Sequence, residues 1–322
     1  MGFDLAKRLS EATDVSDLTV KSFDGFIFLC GGAIGEASEP LLSARHYIVS
    51  RTDKKNPKLA GRSVVIAEWM TSILNDGDFH DLLEFEESIA ALCSCVIIFL
   101  ESPGSIAELG SFSVMQHISS KLLVFCEQRF DSTVKPSFIF LGPLANLRKV
   151  DKESVQVFPI EEEKNGQFHV SKERLDDCWE DIEDAIEGSL KKAVHEAKFD
   201  SASISHRMLL MASLVDLFVA VTSNELEECL NVFGVSLPAK HLRRTLKMLE
   251  QFGLISRRQY GAQNFYMSHK SMALFAFRAV AGGNAVFDVL RFKDAAIKHY
   301  EVDDPRKFKA IKNFRKEVSD NE

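Results

Sequence analysis

The sequence predicts an α/β domain with a parallel sheet, followed by a mainly helical domain. Between residues 23 and 160, short apolar runs alternate with helical patterns, which is typical of parallel strands joined by right-handed helical crossovers. Beyond residue 201 the pattern changes to helices accompanied by two short strands. A chain of 322 residues is long for one hydrophobic core, so two domains are the natural expectation.

The composition, with 46% apolar and 27% charged residues, is that of an ordinary globular protein. The formal net charge of −8 argues against a protein that coats nucleic acid with its whole surface. No apolar segment approaches the roughly 20 residues of a membrane span, and the N-terminus lacks a signal-peptide pattern. A cytoplasmic protein without a membrane partner is therefore expected. The six cysteines form no CxxC pair, and no metal site is expected.

Five apolar runs predict the strands of the first domain, at 23–30, 63–69, 96–100, 121–126 and 155–160. Helical patterns lie between these runs, among them one predicted from Leu82 to Leu92. Five strands with helices on both faces predict a doubly wound sheet of flavodoxin-like order. In such sheets, ligands bind at the carboxyl ends of the strands.

The most informative stretch is 95–113, where a buried strand ends in Glu101-Ser102-Pro103-Gly104-Ser105. Small and turn-forming residues let a backbone approach an anion or a sugar phosphate closely. A helix is predicted to resume at Ile106, with Glu108 in its first turn at the carboxyl end of the sheet. Glu108 is therefore a candidate catalytic residue. The alternative is that its charge only complements the helix dipole.

From 171 to 199, apolar residues recur at intervals of three and four and acids cover the opposite side, which predicts one long amphipathic helix. This helix is expected to join the two domains. The resulting limits are a catalytic domain at 1–165, a linking helix at 166–200, and a C-terminal domain at 201–322 that ends in a basic tail.

Three helical patterns beyond residue 201, followed by two short strands, predict a winged helix, which is a helix-turn-helix variant. The third helix and the strands carry basic residues that predict a nucleic-acid face: Lys240, Arg243, Arg244, Lys247, Arg257 and Arg258. Winged helices that dock another protein are the alternative.

Two motifs of the first domain resemble those of nucleoside 2-deoxyribosyltransferase-like domains. One is the strand that ends in Cys30-Gly31-Gly32, and the other runs from Glu101 to Ser113 with Glu108-Leu109-Gly110 inside it. More narrowly, the chain resembles effector proteins of bacterial retron defence systems, in which such a domain precedes a winged-helix DNA-binding domain. The resemblance covers residues 26–150 well and only the architecture of the remainder.

The resemblance implies cleavage of an N-glycosidic bond, whose oxocarbenium-like transition state carboxylates stabilise. The family's catalytic glutamate falls on Glu108 and a second acid falls on Glu86, with Glu84 and Glu87 close enough to be alternatives. Where the family often has a Pro-Glu-Asp type sequence, this chain has Ala67-Glu68-Trp69, which leaves the role of Glu68 open. Residues expected to contact the substrate are Gly31, Gly32, Glu101, Ser102, Gly104 and Ser105.

The implied substrate is a nucleotide, NAD foremost, although nucleosides and nucleic-acid bases fit the same residues; no cofactor is expected. The implied partners are the retron reverse transcriptase with its msDNA and non-coding RNA, and higher-order assembly is compatible with them. A free glycosidase for a central cofactor would kill its host, so the partner complex is expected to hold this toxin inactive, acting through the helix at 171–199. From a different class, the alternative is a nucleic-acid-binding regulatory module whose ribosyltransferase-like domain only senses a nucleotide.

Overall fold

The structure is a computed structural model that describes residues 5–14, 16–35, 40–52, 58–70, 81–128, 137–193, 196–269, 271–280 and 287–321. These residues separate into two compact units. The α/β unit contains the described residues between Asp24 and Ala193, and the C-terminal unit contains those before Asp24 and those after residue 195.

The strands, in chain order, are β1 (Thr19–Val20), β2 (Phe26–Cys30), β3 (Lys58–Leu59), β4 (Arg62–Val65), β5 (Cys93–Phe99), β6 (Leu122–Glu127), β7 (Val155–Phe158), β8 (Glu161–Lys164), β9 (Gln167–Val170), β10 (Ala197–Lys198), β11 (Ser256–Tyr260), β12 (Gln263–Met267) and β13 (Phe275–Ala276).

The α-helices are α1 (Leu5–Ala12), α2 (Ala44–Ser50), α3 (Leu82–Leu92), α4 (Pro103–Phe112), α5 (Gln116–Ser119), α6 (Ala145–Val150), α7 (Lys172–Asp177), α8 (Trp179–Lys191), α9 (Ile204–Leu217), α10 (Ser223–Val232), α11 (Ala239–Gln251), α12 (Val289–Asp303) and α13 (Pro305–Asn321). A short 3₁₀ helix, Ala67–Met70, follows β4.

The α/β unit is built on a six-stranded sheet of order β3-β4-β2-β5-β6-β7. The five strands from β4 to β7 are parallel, and β3 adds an antiparallel edge. The prediction of five parallel strands is confirmed, although the second strand ends at Val65, earlier than predicted. Its apolar residues continue into the 3₁₀ helix, which places Glu68 beyond the end of the strand.

One face of the sheet packs against α2, α7 and α8, with Ile27, Ile97 and Phe125 of the sheet in the same buried cluster as Ile182 and Ile186 of α8. Helices packed on the faces of a parallel sheet bury its apolar strands almost completely in this way.

The prediction of one long helix from 171 to 199 was wrong, because the chain forms α7 and α8 and then the strand β10. The break at Cys178 lets residues on both sides reach α2. The Tyr47 hydroxyl donates a hydrogen bond to Asp176, and the Trp179 ring lies edge-on to the Tyr47 ring with 5.7 Å between centroids.

In the C-terminal unit, the helices α9 to α11 precede the antiparallel hairpin of β11 and β12, as the sequence predicts. Thr222 caps α10 in a capping box with Glu225. Val221 forms an isolated bridge with Tyr266 of the hairpin. A small sheet of order β10-β1-β13 joins the N-terminal residues to the same unit.

The basic tail predicted at the C-terminus is instead part of the packed unit, as the helices α12 and α13. Apolar residues of α13, such as Ile311 and Phe314, are buried. Lys307 is only 2% exposed, and its Nζ lies 2.5 Å from Oε1 of Glu225. A cation can be buried in this way because an opposite charge accompanies it.

Candidate active site

The loops that follow β2 and β5 lie side by side, because these parallel strands are neighbours and Cys30 is paired with Ile98. The first loop contains Gly31 and Gly32, and the second contains Glu101 and Ser102. The two sequence motifs therefore lie at the same edge of the sheet. This edge is the one at which open α/β sheets bind ligands.

The helix α4 begins at Pro103 rather than at Ile106, so Glu108 lies in its second turn and the prediction of the first turn was wrong. The reason is the cap. Ser102 accepts a hydrogen bond from the Ser105 backbone N–H at 3.1 Å, and Pro103 occupies the first helical position, where a missing N–H costs nothing. Glu108 is therefore too far along the helix to act mainly through the dipole at its end.

Ser102 and Ser105 are both predicted to contact substrate; in the structure Ser102 connects the two loops, and Ser105 stabilises the loop after β5. The Ser102 hydroxyl donates to the Gly31 carbonyl oxygen at 3.1 Å. The Ser105 hydroxyl is buried and accepts hydrogen bonds from the backbone N–H groups of Ser102 at 3.0 Å and Glu101 at 3.2 Å. Gly104 is exposed, and the nearest atom to an added Cβ would be the Ser102 hydroxyl oxygen at 3.7 Å.

The Glu101 carboxylate is directed into the protein. It accepts hydrogen bonds from the backbone N–H groups of Gly32 at 2.9 Å, Ala44 at 2.7 Å and Arg45 at 3.1 Å. Burial raises the pKa of Glu101, and these three donors oppose the increase. Glu101 thus joins the loop after β2 to the start of α2.

The same contacts explain why glycine stands at 31 and 32. A Cβ on Gly31 would lie 2.9 Å from Oε1 of Glu101, and a Cβ on Gly32 would lie 2.7 Å from Cβ of Ser43. Side chains of the protein therefore already occupy the space beside these two glycines. Contact of either glycine with a substrate stays a prediction.

Arg45 is a site residue that the sequence interpretation missed. It is 5% exposed, and its Nε donates to the Gly32 carbonyl oxygen at 2.8 Å. Its two terminal nitrogens pair with the Glu68 carboxylate at 3.3 and 2.5 Å. The sequence did offer one indication of this role, since Arg45 is the single arginine in the mostly apolar stretch 44–49. Most of this stretch, including Arg45, is buried in α2. The sequence leaves the role of Glu68 open, and in the structure Glu68 binds Arg45.

Glu86 on α3 and Glu108 on α4 are half-buried and influence each other. Burial raises the pKa of Glu86 to about 7, and the charges of Glu108 and Glu68 act in the same direction. Burial likewise raises the pKa of Glu108 to about 7, where the Arg45 charge opposes the increase and the Glu68 charge adds to it. We call Glu68, Glu86 and Glu108, together with Arg45, the carboxylate cluster.

Two further observations concern Glu108. Within the described part of the chain, its buried Oε2 atom has no hydrogen-bond partner. A hydrogen bond with the Cys30 thiol lowers its pKa, while burial and the charges of Glu108 and Glu86 raise the pKa of that thiol. A buried carboxylate oxygen without a partner is costly, and active sites are where such groups are kept.

One of the two alternatives to Glu86 is engaged elsewhere. Oε1 of Glu87 lies 3.1 Å from Nε2 of His117. The Glu108 charge, in contrast, is one of the causes that raise the pKa of Glu86. The structure thus places Glu86 within electrostatic reach of Glu108.

In the described residues, no three His, Cys, Asp or Glu side chains are arranged to hold a metal ion. Among the same residues, no helix has the length and apolar character that crossing a membrane requires.

The basic residues predicted for nucleic acid fall into two groups. Lys240, Arg243 and Lys247 follow one side of α11, and we call them the basic stripe. Arg244, on the same helix, is only 5% exposed. The two hairpin arginines face acids: Nε of Arg257 lies 3.7 Å from Glu250, and Nε of Arg258 lies 2.9 Å from Glu317.

With this geometry, the chain is an α/β protein that gathers carboxylates at the carboxyl ends of parallel strands. The family model described as "STM3845 retron effector protein" matches residues 42–257, which is more than half of the chain. The chain therefore belongs to this family of retron effectors.

Two curated relatives come from Escherichia coli. "Retron Ec86 putative ribosyltransferase/DNA-binding protein" is 35% identical over 130 residues, which are 40% of this chain and 39% of the relative. The protein of retron Ec73 with the same description is 29% identical over 131 residues, 40% of each chain. Each alignment thus spans about two fifths of the relative's own length.

Proposed function

We propose that this chain is a toxin effector that cleaves the N-glycosidic bond of a nucleotide, with NAD as the foremost substrate. The observation that carries the proposal is the pair Glu86 and Glu108, two half-buried carboxyl groups that both have a pKa near 7. The unpartnered Oε2 of Glu108 is a further support. The name ribosyltransferase, which both relatives have, agrees with this chemistry.

In the proposed reaction, the ionised Glu108 attacks the anomeric carbon of the ribosyl group as the bond from that carbon to the base nitrogen breaks. Glu86 donates its proton to a base that would otherwise leave as an anion. Nicotinamide leaves NAD as a neutral molecule, so there Glu86 holds a ribose hydroxyl instead. Water then hydrolyses the glycosyl ester, which adds a hydroxyl to the anomeric carbon, releases the ribosyl group and restores the Glu108 carboxylate. The second proton of the water passes to Glu86 where Glu86 has protonated the base, and to solvent where the base is nicotinamide.

A pKa near 7 suits both roles. At neutral pH, two interacting carboxyl groups of this kind share about one proton, so one member can be an acid while the other is a nucleophile. The desolvation that raises both pKa values also strengthens the attraction of a carboxylate for a cationic transition state.

The fold supports the proposal. Numbered along the chain, the five parallel strands have the order 2-1-3-4-5, which supports our proposal of a flavodoxin-like doubly wound sheet. For the C-terminal unit we propose a winged helix, because α9 to α11 precede a hairpin whose strand β12 is bridged to Val221. DNA-binding appears in the descriptions of both relatives.

The test is Glu108→Gln, measured as the base released by purified protein from NAD and from deoxynucleotides. The amide has the same shape but cannot act as a nucleophile, so activity should fall at least about a thousandfold. The melting temperature should not fall, because a buried carboxyl group is replaced by a neutral one. Glu87→Gln, the same change beside Glu86, is the matched control and should retain activity. Unchanged turnover in folded Glu108→Gln would leave the nucleotide-sensing module as the better proposal.

We also propose that the retron reverse transcriptase with its msDNA restrains the enzyme. The partner must then bind the inactive arrangement more tightly than the active one. Growth of cells that express this chain with and without the partner complex tests the restraint. Equal toxicity in both strains would exclude it, whatever the substrate.

A further inference from the structure

Arg45 is a fixed cation at the edge of the sheet where the reaction is proposed. Its Nε is bound to the Gly32 carbonyl oxygen at 2.8 Å, and its backbone N–H is bound to Glu101 at 3.1 Å. These two contacts hold the side chain against the loop after β2 and the backbone against the loop after β5. A guanidinium has five N–H donors, of which the contacts with Gly32 and Glu68 use three.

Its partner Glu68 is much less confined. The Glu68 side chain is 57% exposed, whereas that of Arg45 is 6% exposed. Glu68 lies on the 3₁₀ helix Ala67–Met70, outside the sheet. The carboxylate of this ion pair can be exchanged for another anion, because Glu68 can return to water while the incoming anion compensates the buried charge of Arg45.

The guanidinium also lies near the two carboxyl groups proposed to react. Its charge lowers the pKa of both Glu86 and Glu108, and the charge of Glu68 raises both. An anionic group bound by Arg45 would therefore lie next to the ribosyl group on which Glu108 acts. A 5′-phosphate has this position in every nucleotide.

We propose that Arg45 is the phosphate-binding residue of this site and that Glu68 occupies the place of the phosphate until substrate binds. The planar fork of an arginine suits phosphate as well as it suits a carboxylate, so one oxyanion can replace the other. A nucleoside has no anion that could displace Glu68. The substrate class is therefore ribosyl 5′-phosphates, free nucleosides being excluded. This inference rests on the proposed function.

The experiment compares nicotinamide mononucleotide with nicotinamide riboside, which share the scissile bond and differ only in the phosphate. For the wild type, kcat/KM should be at least about a hundredfold higher with the mononucleotide, as expected for two charge-assisted hydrogen bonds. Arg45→Lys should reduce this ratio about tenfold, because an ammonium binds as a point charge without the fork. A purely structural role of Arg45 would lower both rates and leave the ratio unchanged, which would overturn the proposal.

A second measurement needs neither turnover nor a change in the buried arginine. Glu68→Gln alters an exposed side chain and should bind ribose 5-phosphate about tenfold more tightly than the wild type, as followed by calorimetry. Weaker or equal binding would overturn the phosphate site, even if base release proves real. Tighter binding would support it even if Glu108→Gln shows the proposed reaction to be wrong, so the two failures can be told apart.

Discussion

In the carboxylate cluster, burial and neighbouring charges raise the pKa of Glu86 and of Glu108 to about 7, whereas the hairpin arginines Arg257 and Arg258 lie at the surface against acids. The first group of charges is half-buried and mutually repelling. The second is solvated, with 51% and 39% of the two arginine side chains exposed.

The difference shows what each kind of charge can contribute. Water screens the hairpin ion pairs, so each adds about 1 kcal/mol or less to stability, and a competing phosphate can exchange for the acid. The carboxyl groups lack that screening, and their coupling shifts the proton population at neutral pH. Substitutions in the carboxylate cluster should therefore change the reaction rate. Substitutions of solvated basic residues, including those of the basic stripe, should change the affinity for nucleic acid and its dependence on salt.

The largest effect of the predictions that follow is expected for Glu86→Gln. With a nucleotide whose base must be protonated to leave, loss of the general acid should lower kcat about a hundredfold. With NAD the loss should be much smaller, because nicotinamide leaves as a neutral molecule. Base release from both substrates, measured side by side with Glu87→Gln, checks this difference.

The pH profile sharpens the same prediction. With a substrate whose leaving base must be protonated, the wild type needs Glu108 ionised and Glu86 protonated. Its activity should therefore decline on both sides of about pH 7. Glu86→Gln should remove the alkaline decline and keep the acid one, since only Glu108 still has to ionise. Retention of a bell shape would show that Glu86 is not the acid.

Much of the α/β unit could be predicted because its signals are local. The helix α3 begins and ends at the predicted residues, since Asp81 caps it and the apolar run of β5 follows directly. The hairpin of β8 and β9 was not predicted, although it too has a local signal. Asn165 and Gly166 both have positive φ, as a two-residue hairpin turn requires.

What could not be predicted depends on residues far apart in the sequence. The Glu101 carboxylate is bound by N–H groups 56 to 69 positions away, so neither its direction nor the need for Gly31 can be read from the loop itself. The break between α7 and α8 follows from contacts with Tyr47, which is distant in the same way. Glu108 itself was found from its motif, but Arg45 became visible only once α2 had been placed.

For the basic stripe, Arg243→Glu should weaken binding of hairpin DNA about tenfold at moderate salt and reduce the slope of log K against log salt by about 1 or more. The reason is the loss of a phosphate contact and the release of fewer counterions. Fluorescence anisotropy at several salt concentrations measures both quantities. Arg243 is preferred to Arg244 because it is exposed, whereas reversal of the buried Arg244 would test folding.

Lys172→Glu is the matched control, since it makes the same charge change at an exposed residue of the α/β unit. It should leave the affinity within about a factor of two, because it removes no phosphate contact of the basic stripe. An equal loss in both variants would mean that net charge, and not the basic stripe, governs the binding.

The smallest effect distinguishes two helix caps that are chemically alike. Thr222 accepts a hydrogen bond from the Glu225 N–H at 3.3 Å at the start of α10, as Ser102 does from the Ser105 N–H at the start of α4. Replacing either cap by Ala should cost about 1 kcal/mol in the free energy of unfolding, measured by denaturant titration. Only Ser102→Ala should also slow base release, because Ser102 additionally ties α4, which carries Glu108, to the Gly31 carbonyl oxygen. Thr222→Ser should restore the lost stability. If Thr222→Ala slowed base release as much as Ser102→Ala does, the caps would act through general stability, and the contrast between the two regions would not hold.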